Sequence, residues 1–220
     1  MRVLIGAILA LSTTACASAQ GRPSEDELVA RARGIHERVM TLDTHVDIQA
    51  TTFSANHANY VNGGLVNPNE QVELAKMEQG GLDAVFFSIY QGQQQNFTPE
   101  GYQSAFNTAM AKVEAIRRMT TQLAPDRIGL ATTAAEVRRI AASGRKVALM
   151  GMENGYALGE DITNVKKFAD LGVRYLSLAH NGNNQLADSN NGQPDGERHG
   201  GLSALGRQAV AEANRWGVML

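Results

Sequence analysis

Apolar residues recur along the chain in two alternating patterns, one at helical intervals and one in short continuous runs. Helical spacing indicates an amphipathic helix, and short apolar runs bounded by Gly or Pro are typical of buried strands. The spacing predicts helices over residues 24–39, 70–79, 98–123, 133–144, 162–171 and 203–216. The runs predict strands over residues 40–44, 82–90, 128–131, 147–152 and 173–179, and the start of another at 218–220.

Polar residues at the predicted helix starts support these boundaries. Ser24 with Glu27, and Thr133 with Glu136, have the spacing of a capping box, in which side chains bond free backbone N–H groups. Pro99 stands at the first helical position of another segment, where the missing N–H of proline costs nothing. Three of the helices therefore have defined starting points in the sequence.

The order of the elements, strand then helix with short connections, predicts an α/β fold. Strands that are apolar throughout are typical of a parallel sheet with helices on both faces, either a doubly wound open sheet or a (β/α) barrel. The 220 residues show roughly five strands, whereas a barrel needs eight and commonly about 250 residues. We therefore expect residues 20–220 to be the N-terminal part of one domain. Because a partial barrel exposes a sheet edge, residues 1–220 alone are expected to be inactive and poorly soluble.

Residues 1–19 differ from the rest and are predicted to be a secretory signal peptide. Arg2 gives a minimal positive start, residues 3–11 are apolar, and residues 17–19 read Ala-Ser-Ala, an A-x-A cleavage pattern. The apolar stretch is too short to cross a bilayer as a helix. An alternative is that Cys16 becomes the lipidated first residue of a lipoprotein. Both interpretations predict an exported protein, periplasmic or extracellular, and the second adds a lipid anchor.

Composition and missing motifs exclude several classes of function. The net charge of −2, without a basic patch, argues against nucleic acid or an anionic membrane surface as a partner. Cys16 is the sole cysteine, and signal cleavage would remove it, so disulfides, cysteine nucleophiles and Cys-ligated zinc are excluded by inventory. Neither G-x-S-x-G nor H-E-x-x-H occurs, so a serine nucleophile elbow and the helical zinc-protease site are not supported.

His45 and Asp47 stand at the end of the first predicted strand. Residues two apart in an extended chain point to the same side, and the active sites of barrels lie at the C-terminal ends of the strands. Imidazole nitrogen and carboxylate oxygen are both ligands of Zn²⁺. The structural alternative is a strand-end histidine beside an exposed acid, which is the ordinary interpretation of an isolated H-x-D.

Glu153 and His180 also follow predicted apolar strands. A carboxylate there is not expected to be buried without a partner, and its two oxygens can bridge two metal ions. The alternative for Glu153 is a turn or helix-start carboxylate. His180 could be a ligand, a donor to a substrate oxyanion, or a group that satisfies loop carbonyls. His36, His57 and His199 are interpreted as structural or surface groups.

Three separate strand ends thus carry histidine or acidic side chains. The ends of parallel strands would converge on one face of a barrel. The coincidence favours a metal site formed by His45, Asp47 and Glu153, with His180 beside it.

Five segments, taken in order, resemble the membrane dipeptidase family, also called peptidase family M19, over residues 41–220. The family's H-x-D pattern, where many other amidohydrolases have H-x-H, favours it among its relatives. Asn154 stands where the family has a Gly, and Ala179 where it has a Thr. The family segments D-x-H-x-D, G-x-E-G-G, L-G-x-R-Y-x-x-L-T-H, N-x-x-A-D and G-L-S…N-R-x-G are matched at residues 43–47, 151–155, 171–180, 184–188 and 201–217.

The resemblance implies a (β/α)₈ TIM-type barrel of the metal-dependent amidohydrolase kind, of which the chain covers about the first five βα units. It implies two zinc ions per complete chain. His45 and Asp47 would ligate one ion, and Glu153 would bridge both and take part in catalysis. His180 would contact the substrate and steady the tetrahedral intermediate. The implied activity is hydrolysis of dipeptides by a metal-activated water, often with tolerance for a D-residue at the C-terminal position.

The resemblance also implies ligands that these 220 residues do not contain. They are two further histidines, the first directly after the strand that begins at Val218. A later acid would bind the amino end of the dipeptide. From this chain, the second ion would therefore have Glu153 alone.

Two alternatives to a dipeptidase stay open from the sequence. One is another amidohydrolase on the same scaffold, acting on N-acyl amino acids or lactones. The other is a non-catalytic exported binding protein that has lost its metal. The expected partner is a dipeptide and not nucleic acid, while membrane anchoring through Cys16 and a homodimer remain open.

Overall fold

The computed structural model describes residues 22–49, 72–92, 97–191 and 196–220. The helices are α1 (Glu25–His36), α2 (Leu74–Gly80), α3 (Pro99–Arg118), α4 (Ala134–Ala142), α5 (Thr163–Leu171) and α6 (Ala204–Trp216). The strands are β1 (Leu42–Asp47), β2 (Ala84–Tyr90), β3 (Ile128–Leu130), β4 (Lys146–Glu153) and β5 (Val173–Leu176). A π-helical turn, Met119–Leu123, extends α3, and a 3₁₀ turn, Gly155–Leu158, follows β4. The predicted signal peptide and His57 lie outside the described residues.

The chain divides into two compact units, residues 1–35 and residues 36–220. The described part of the first unit is mostly α1. The Ser24 hydroxyl accepts the Glu27 N–H at 3.3 Å, and the Glu27 carboxylate accepts the Ser24 N–H at 2.8 Å. The capping box predicted at this helix start is therefore confirmed.

In the second unit, side chains cap α3 and α4 where the sequence predicts the starts of these two helices. The Thr98 hydroxyl accepts the Gly101 N–H at 3.2 Å, with Pro99 as the first helical residue of α3. At α4 the Thr133 hydroxyl accepts the Glu136 N–H, and the Glu136 carboxylate accepts the Thr133 N–H, each at 3.2 Å. In the described ranges, no helix combines the length and the apolar character needed to cross a membrane.

The strands form one parallel sheet, in which β2 pairs with β1 on one side and with β4 on the other. The β2 pairing runs from Val147 to Glu153 of β4. On the opposite edge of β4, β3 pairs with residues 146–148 and β5 with residues 150–152. The two short strands therefore follow one another along a single edge, unlike an ideal barrel in which each strand lies beside its sequence neighbours. A parallel bridge between Tyr175 and Met219 agrees with the predicted start of another strand.

Two predicted strand boundaries are wrong in ways that affect the site. β1 runs to Asp47 instead of ending at Thr44, because it stays paired with β2 as far as Ser88. β5 ends at Leu176 instead of reaching Ala179, since its partner β4 ends at Glu153. His45 and Asp47 thus belong to a strand, whereas His180 lies in the loop beyond one.

Both faces of the sheet are buried, which explains why its strands are apolar throughout. Along β2, Val85, Phe87 and Ile89 face the larger core shared with the helices. Ala84 and Phe86 face a second, smaller core. Since alternate residues of a strand face the same side, Ser88 continues the face of Phe86 toward the C-terminal end of the sheet.

The capping box of α4 gives a test of local stability. We expect Thr133→Ala to lower the free energy of unfolding by about 1 kcal/mol, because it removes the acceptor for the Glu136 N–H. The matched control is Thr108→Ala on an exposed face of α3, where the hydroxyl only bonds the Ser104 carbonyl. Alanine is the better helix former there, so the control should be neutral or slightly stabilising. Equal losses for the two variants in urea unfolding would contradict the capping assignment.

Candidate metal centre

The C-terminal ends of β1 and β4 bring the predicted ligands together. A β-bulge lies between Asp43 and Val46, where β1 has one more residue than β2. The Asp43 carboxylate accepts the His45 N–H at 2.9 Å within this bulge. Bulges re-aim side chains at strand ends, and here the bulged segment carries His45 toward Glu153.

Three ligand atoms cluster at this point. His45 Nε2 lies 3.1 Å from Glu153 Oε2 and 3.6 Å from Asp47 Oδ1. All three ligand atoms lie within 4.8 Å of one another. Ligands of a tetrahedral zinc ion, at about 2.1 Å from the metal, stand roughly 3.4 Å apart. The residues present therefore fit a small divalent cation in both spacing and donor type.

The three side chains differ in depth. Glu153 is 15% exposed, His45 42% and Asp47 68%. The carboxylate of Glu153 thus forms the floor of the cluster, and the other two residues are open to solvent. A cation held here would be bound by the buried carboxylate of Glu153 on one side and open to solvent on the other, as a substrate site requires.

His180 meets the same carboxylate from another direction. Its Nε2 lies 3.0 Å from Glu153 Oε1, whereas His45 pairs with Oε2. The two oxygens of Glu153 therefore face different histidines. His180 reaches this position from the loop after β5, and its ring also packs edge-on against Tyr90, with centroids 5.0 Å apart.

Tyr175 orients His45 from behind. Its hydroxyl lies 3.0 Å from His45 Nδ1, which leaves Nε2 to face the carboxylates. Burial raises the pKa of Tyr175 to about 12, and the negative charges of Glu153 and Asp47 add to the rise. Tyr175 therefore stays a neutral phenol. No role was predicted for Tyr175, although it stands in the family segment L-G-x-R-Y.

Gly151 makes room for the Tyr175 ring. A Cβ at position 151 would lie 2.0 Å from Cε1 and Cζ of Tyr175, far inside van der Waals contact. Gly151 and Tyr175 are register partners on β4 and β5. The glycine of the G-x-E segment is therefore required by the aromatic ring of the neighbouring strand.

Ser88 supports Glu153 and was also missed from the sequence. Its fully buried hydroxyl donates to Glu153 Oε2 at 3.2 Å. The available signal was weak but real, since Ser88 is the polar residue within the otherwise apolar run of β2. A hydroxyl in a buried strand needs a hydrogen-bond partner, and here the partner is the central carboxylate.

Lys112 places a buried cation behind the cluster. Its side chain is on α3, the residue is 4% exposed, and its Nζ donates to the Tyr90 carbonyl at 2.8 Å. Burial lowers the pKa of Lys112, while the negative charges of Asp47 and Glu153 oppose this effect. No sequence motif distinguished this lysine from the surface lysines.

Asp188 organises the loop that carries His180. Its carboxylate accepts the N–H groups of Arg198, His199 and Gly201, each at 2.9 Å. Desolvation acts in the other direction, but these bonds hold the pKa of Asp188 below its usual value. His199 Nε2 bonds the Asn184 carbonyl at 2.8 Å, which agrees with a structural role.

Fold and site together define a parallel α/β protein with a candidate His-Asp-Glu metal centre at the C-terminal ends of its strands. The sequence model of a family described as membrane dipeptidase (peptidase family M19) matches residues 29–220. The chain belongs to this family, which confirms the resemblance found in the sequence.

Relatives and solved structures agree with this assignment. The dipeptidase aclJ of Aspergillus oryzae is 32% identical over 191 residues, which is 83% of this chain and 44% of aclJ. The crystal structure of the probable dipeptidase PvdM from Pseudomonas aeruginosa superposes with a TM-score of 0.75 at 28% identity, covering 89% of this chain and 49% of PvdM. A metallopeptidase of family M19, dipeptidase AC, gives 0.67 at 27% identity, covering 83% and 55%.

The chain spans less than half the length of the curated relatives that it matches. The similarity confirms the predicted α/β class, and the five-stranded parallel sheet fits part of a dipeptidase barrel.

The packing of Tyr175 on Gly151 gives a second test. We expect Gly151→Ala to lower the free energy of unfolding by about 1–3 kcal/mol, because the new methyl group overlaps the ring. Gly80→Ala is the matched control, since a Cβ there meets nothing within 4 Å. It should be neutral or stabilising in urea unfolding of the whole protein. A Gly151→Ala variant as stable as the control would contradict the packing that holds Tyr175 against His45.

Proposed function

We propose that the whole protein is a zinc-dependent dipeptidase, in which His45, Asp47 and Glu153 provide ligands and His180 acts on the substrate. The observation that carries the proposal is the convergence of the three ligand atoms within 4.8 Å, beside His180, in a chain of the M19 family. The named dipeptidases among its relatives support the substrate class.

The donor set supports zinc as the metal. One imidazole nitrogen and two carboxylate oxygens are common zinc ligands, and an incomplete protein shell leaves a position for water or substrate. A bound zinc ion polarises a carbonyl oxygen and lowers the pKa of water toward neutrality. The carboxylate of Glu153 supports a count of two ions, because its two oxygens point in different directions. Oε2 faces His45 and Oε1 faces His180. The other ligands of the second ion would be the two histidines that the family resemblance implies.

The chain's own residues would orient and stabilise the reacting groups. Tyr175 fixes the imidazole of His45, and Ser88 fixes one oxygen of Glu153. His180 is proposed to donate from Nε2 to the oxygen of the scissile carbonyl as negative charge develops on it. Its support is its position at the open side of Glu153, with its own ring held by Tyr90.

We also propose that the protein is exported. The support is the apolar stretch over residues 3–11 followed by the A-x-A pattern at residues 17–19. Mass spectrometry of the mature protein from its native host would give the N-terminus. An N-terminus at residue 20 supports signal cleavage, a lipid on Cys16 supports an anchored form, and an intact Met1 would contradict export.

The proposed bridging role is tested by Glu153→Gln in the whole protein. We expect zinc content to fall from two ions per chain to at most one. Hydrolysis of L-Ala-D-Ala should fall about 10³-fold, because metal-ion catalysis is worth several kcal/mol. Glu114→Gln, at an exposed position of α3, is the matched control and should retain both properties. Normal zinc content and activity in Glu153→Gln would refute the role.

The role of His180 is tested separately. We expect His180→Ala to lower kcat by about 10²–10³-fold with zinc content unchanged, as loss of one oxyanion donor does elsewhere. His36→Ala, an exposed histidine at the end of α1, is the control. If His180→Ala instead lost a zinc ion, His180 would be a ligand and the proposed donor role would be wrong.

A further inference from the structure

Asn154, directly after Glu153, has an unusual backbone conformation. Its φ is 72° and its ψ is 97°, and in the described ranges it is the one residue other than glycine with positive φ. Such a conformation is strained for a residue with a Cβ, whereas glycine adopts it freely. The matching family segment has a Gly here, so we ask which interactions of the Asn154 side chain offset the strain of its backbone.

The buried side chain of Asn154 connects the loops around the metal centre. Its Nδ2 donates to the Gln91 carbonyl, after β2, at 3.0 Å. Its Oδ1 accepts the Asn184 Nδ2, in the loop after β5, at 2.9 Å. Its backbone N–H donates to the Ser177 hydroxyl at 2.9 Å. One residue therefore joins the segments that follow β2, β4 and β5.

Asn184 carries this connection to both sides of His180. Its Nδ2 also donates to the Leu178 carbonyl at 2.7 Å, two residues before His180. Its Oδ1 accepts the N–H groups of Leu186 at 2.8 Å and Ala187 at 3.1 Å. The loop is thereby closed on itself and attached to Asn154, one residue from Glu153.

We propose that Asn154 is a positioning residue that sets His180 against Glu153. The 3.0 Å contact between His180 Nε2 and Glu153 Oε1 joins two segments that Asn154 and Asn184 hold together. A glycine at 154 would take the same backbone conformation but would leave the Gln91 carbonyl without this donor. The consequence of this positioning role for catalysis rests on the proposed dipeptidase function. Its consequence for the structure of the loop does not.

The catalytic consequence is tested by a double-mutant cycle in the whole protein with L-Ala-D-Ala. We expect Asn154→Gly to lower kcat about 10-fold or more, with a smaller change in KM, because His180 is misplaced. In the His180→Ala background the same change should have little further effect. Asn164→Ala is the matched control, since its buried amide bonds the Leu158 carbonyl away from the site. Its effect should be the same in both backgrounds. Equal effects of Asn154→Gly in both backgrounds would overturn the proposal.

The structural consequence is tested by amide hydrogen exchange, which needs no activity. In Asn154→Gly, exchange should accelerate over residues 178–187 and remain unchanged in α5. Asn154→Asp keeps the Oδ1 acceptor but sets a carboxylate oxygen against the Gln91 carbonyl, so it should accelerate exchange over the same residues. Acceleration of α5 to the same extent in both variants, or no acceleration of the loop, would overturn the proposal. If the wild type does not hydrolyse dipeptides, the proposed function fails and the exchange result alone decides the role of Asn154.

Discussion

The carboxylate of Glu153 is a charge at the edge of a buried sheet, and the surrounding structure compensates for it. Removing a carboxylate from water is costly unless it gains hydrogen bonds or opposite charges. Ser88 on β2, His45 on β1 and His180 in the loop after β5 each contact one of its oxygens. Side chains from three neighbouring segments of the chain thus contact a single acidic group. A bound cation would complete this compensation, which is the physical basis for assigning a metal to the site.

The sheet beneath the carboxylate is organised to hold it in place. On the face that carries Glu153, Phe86 and Leu149 form an apolar layer. The next layer contains the Tyr175 ring against Gly151, and the tyrosine hydroxyl then reaches His45. Apolar packing therefore precedes the polar contacts along one face of the sheet, toward the C-terminal ends of the strands. These residues share a face because alternate residues of a strand point to the same side. The support of the site is mostly built on strands, which hold side chains more precisely than loops do.

Much of this arrangement could be predicted from the sequence, because helix starts and strand ends are marked by characteristic residues close together in the chain. The pair Thr133 and Glu136 predicted a cap from spacing alone, and a histidine or an acid at the ends of apolar runs predicted the cluster. The contacts of Ser88 and Tyr175 were not predicted, since they depend on which residues of different strands face each other. The sharing of one β4 edge by β3 and β5 likewise has no local signal, as it follows from strand lengths and register.

The most direct test of the account is to locate the metal. Crystals of the whole protein prepared with zinc would be measured on both sides of the zinc absorption edge. The account predicts an anomalous peak about 2.0–2.2 Å from His45 Nε2 and from one carboxylate oxygen each of Asp47 and Glu153. A zinc peak bound elsewhere, with these three side chains free of metal, would contradict it.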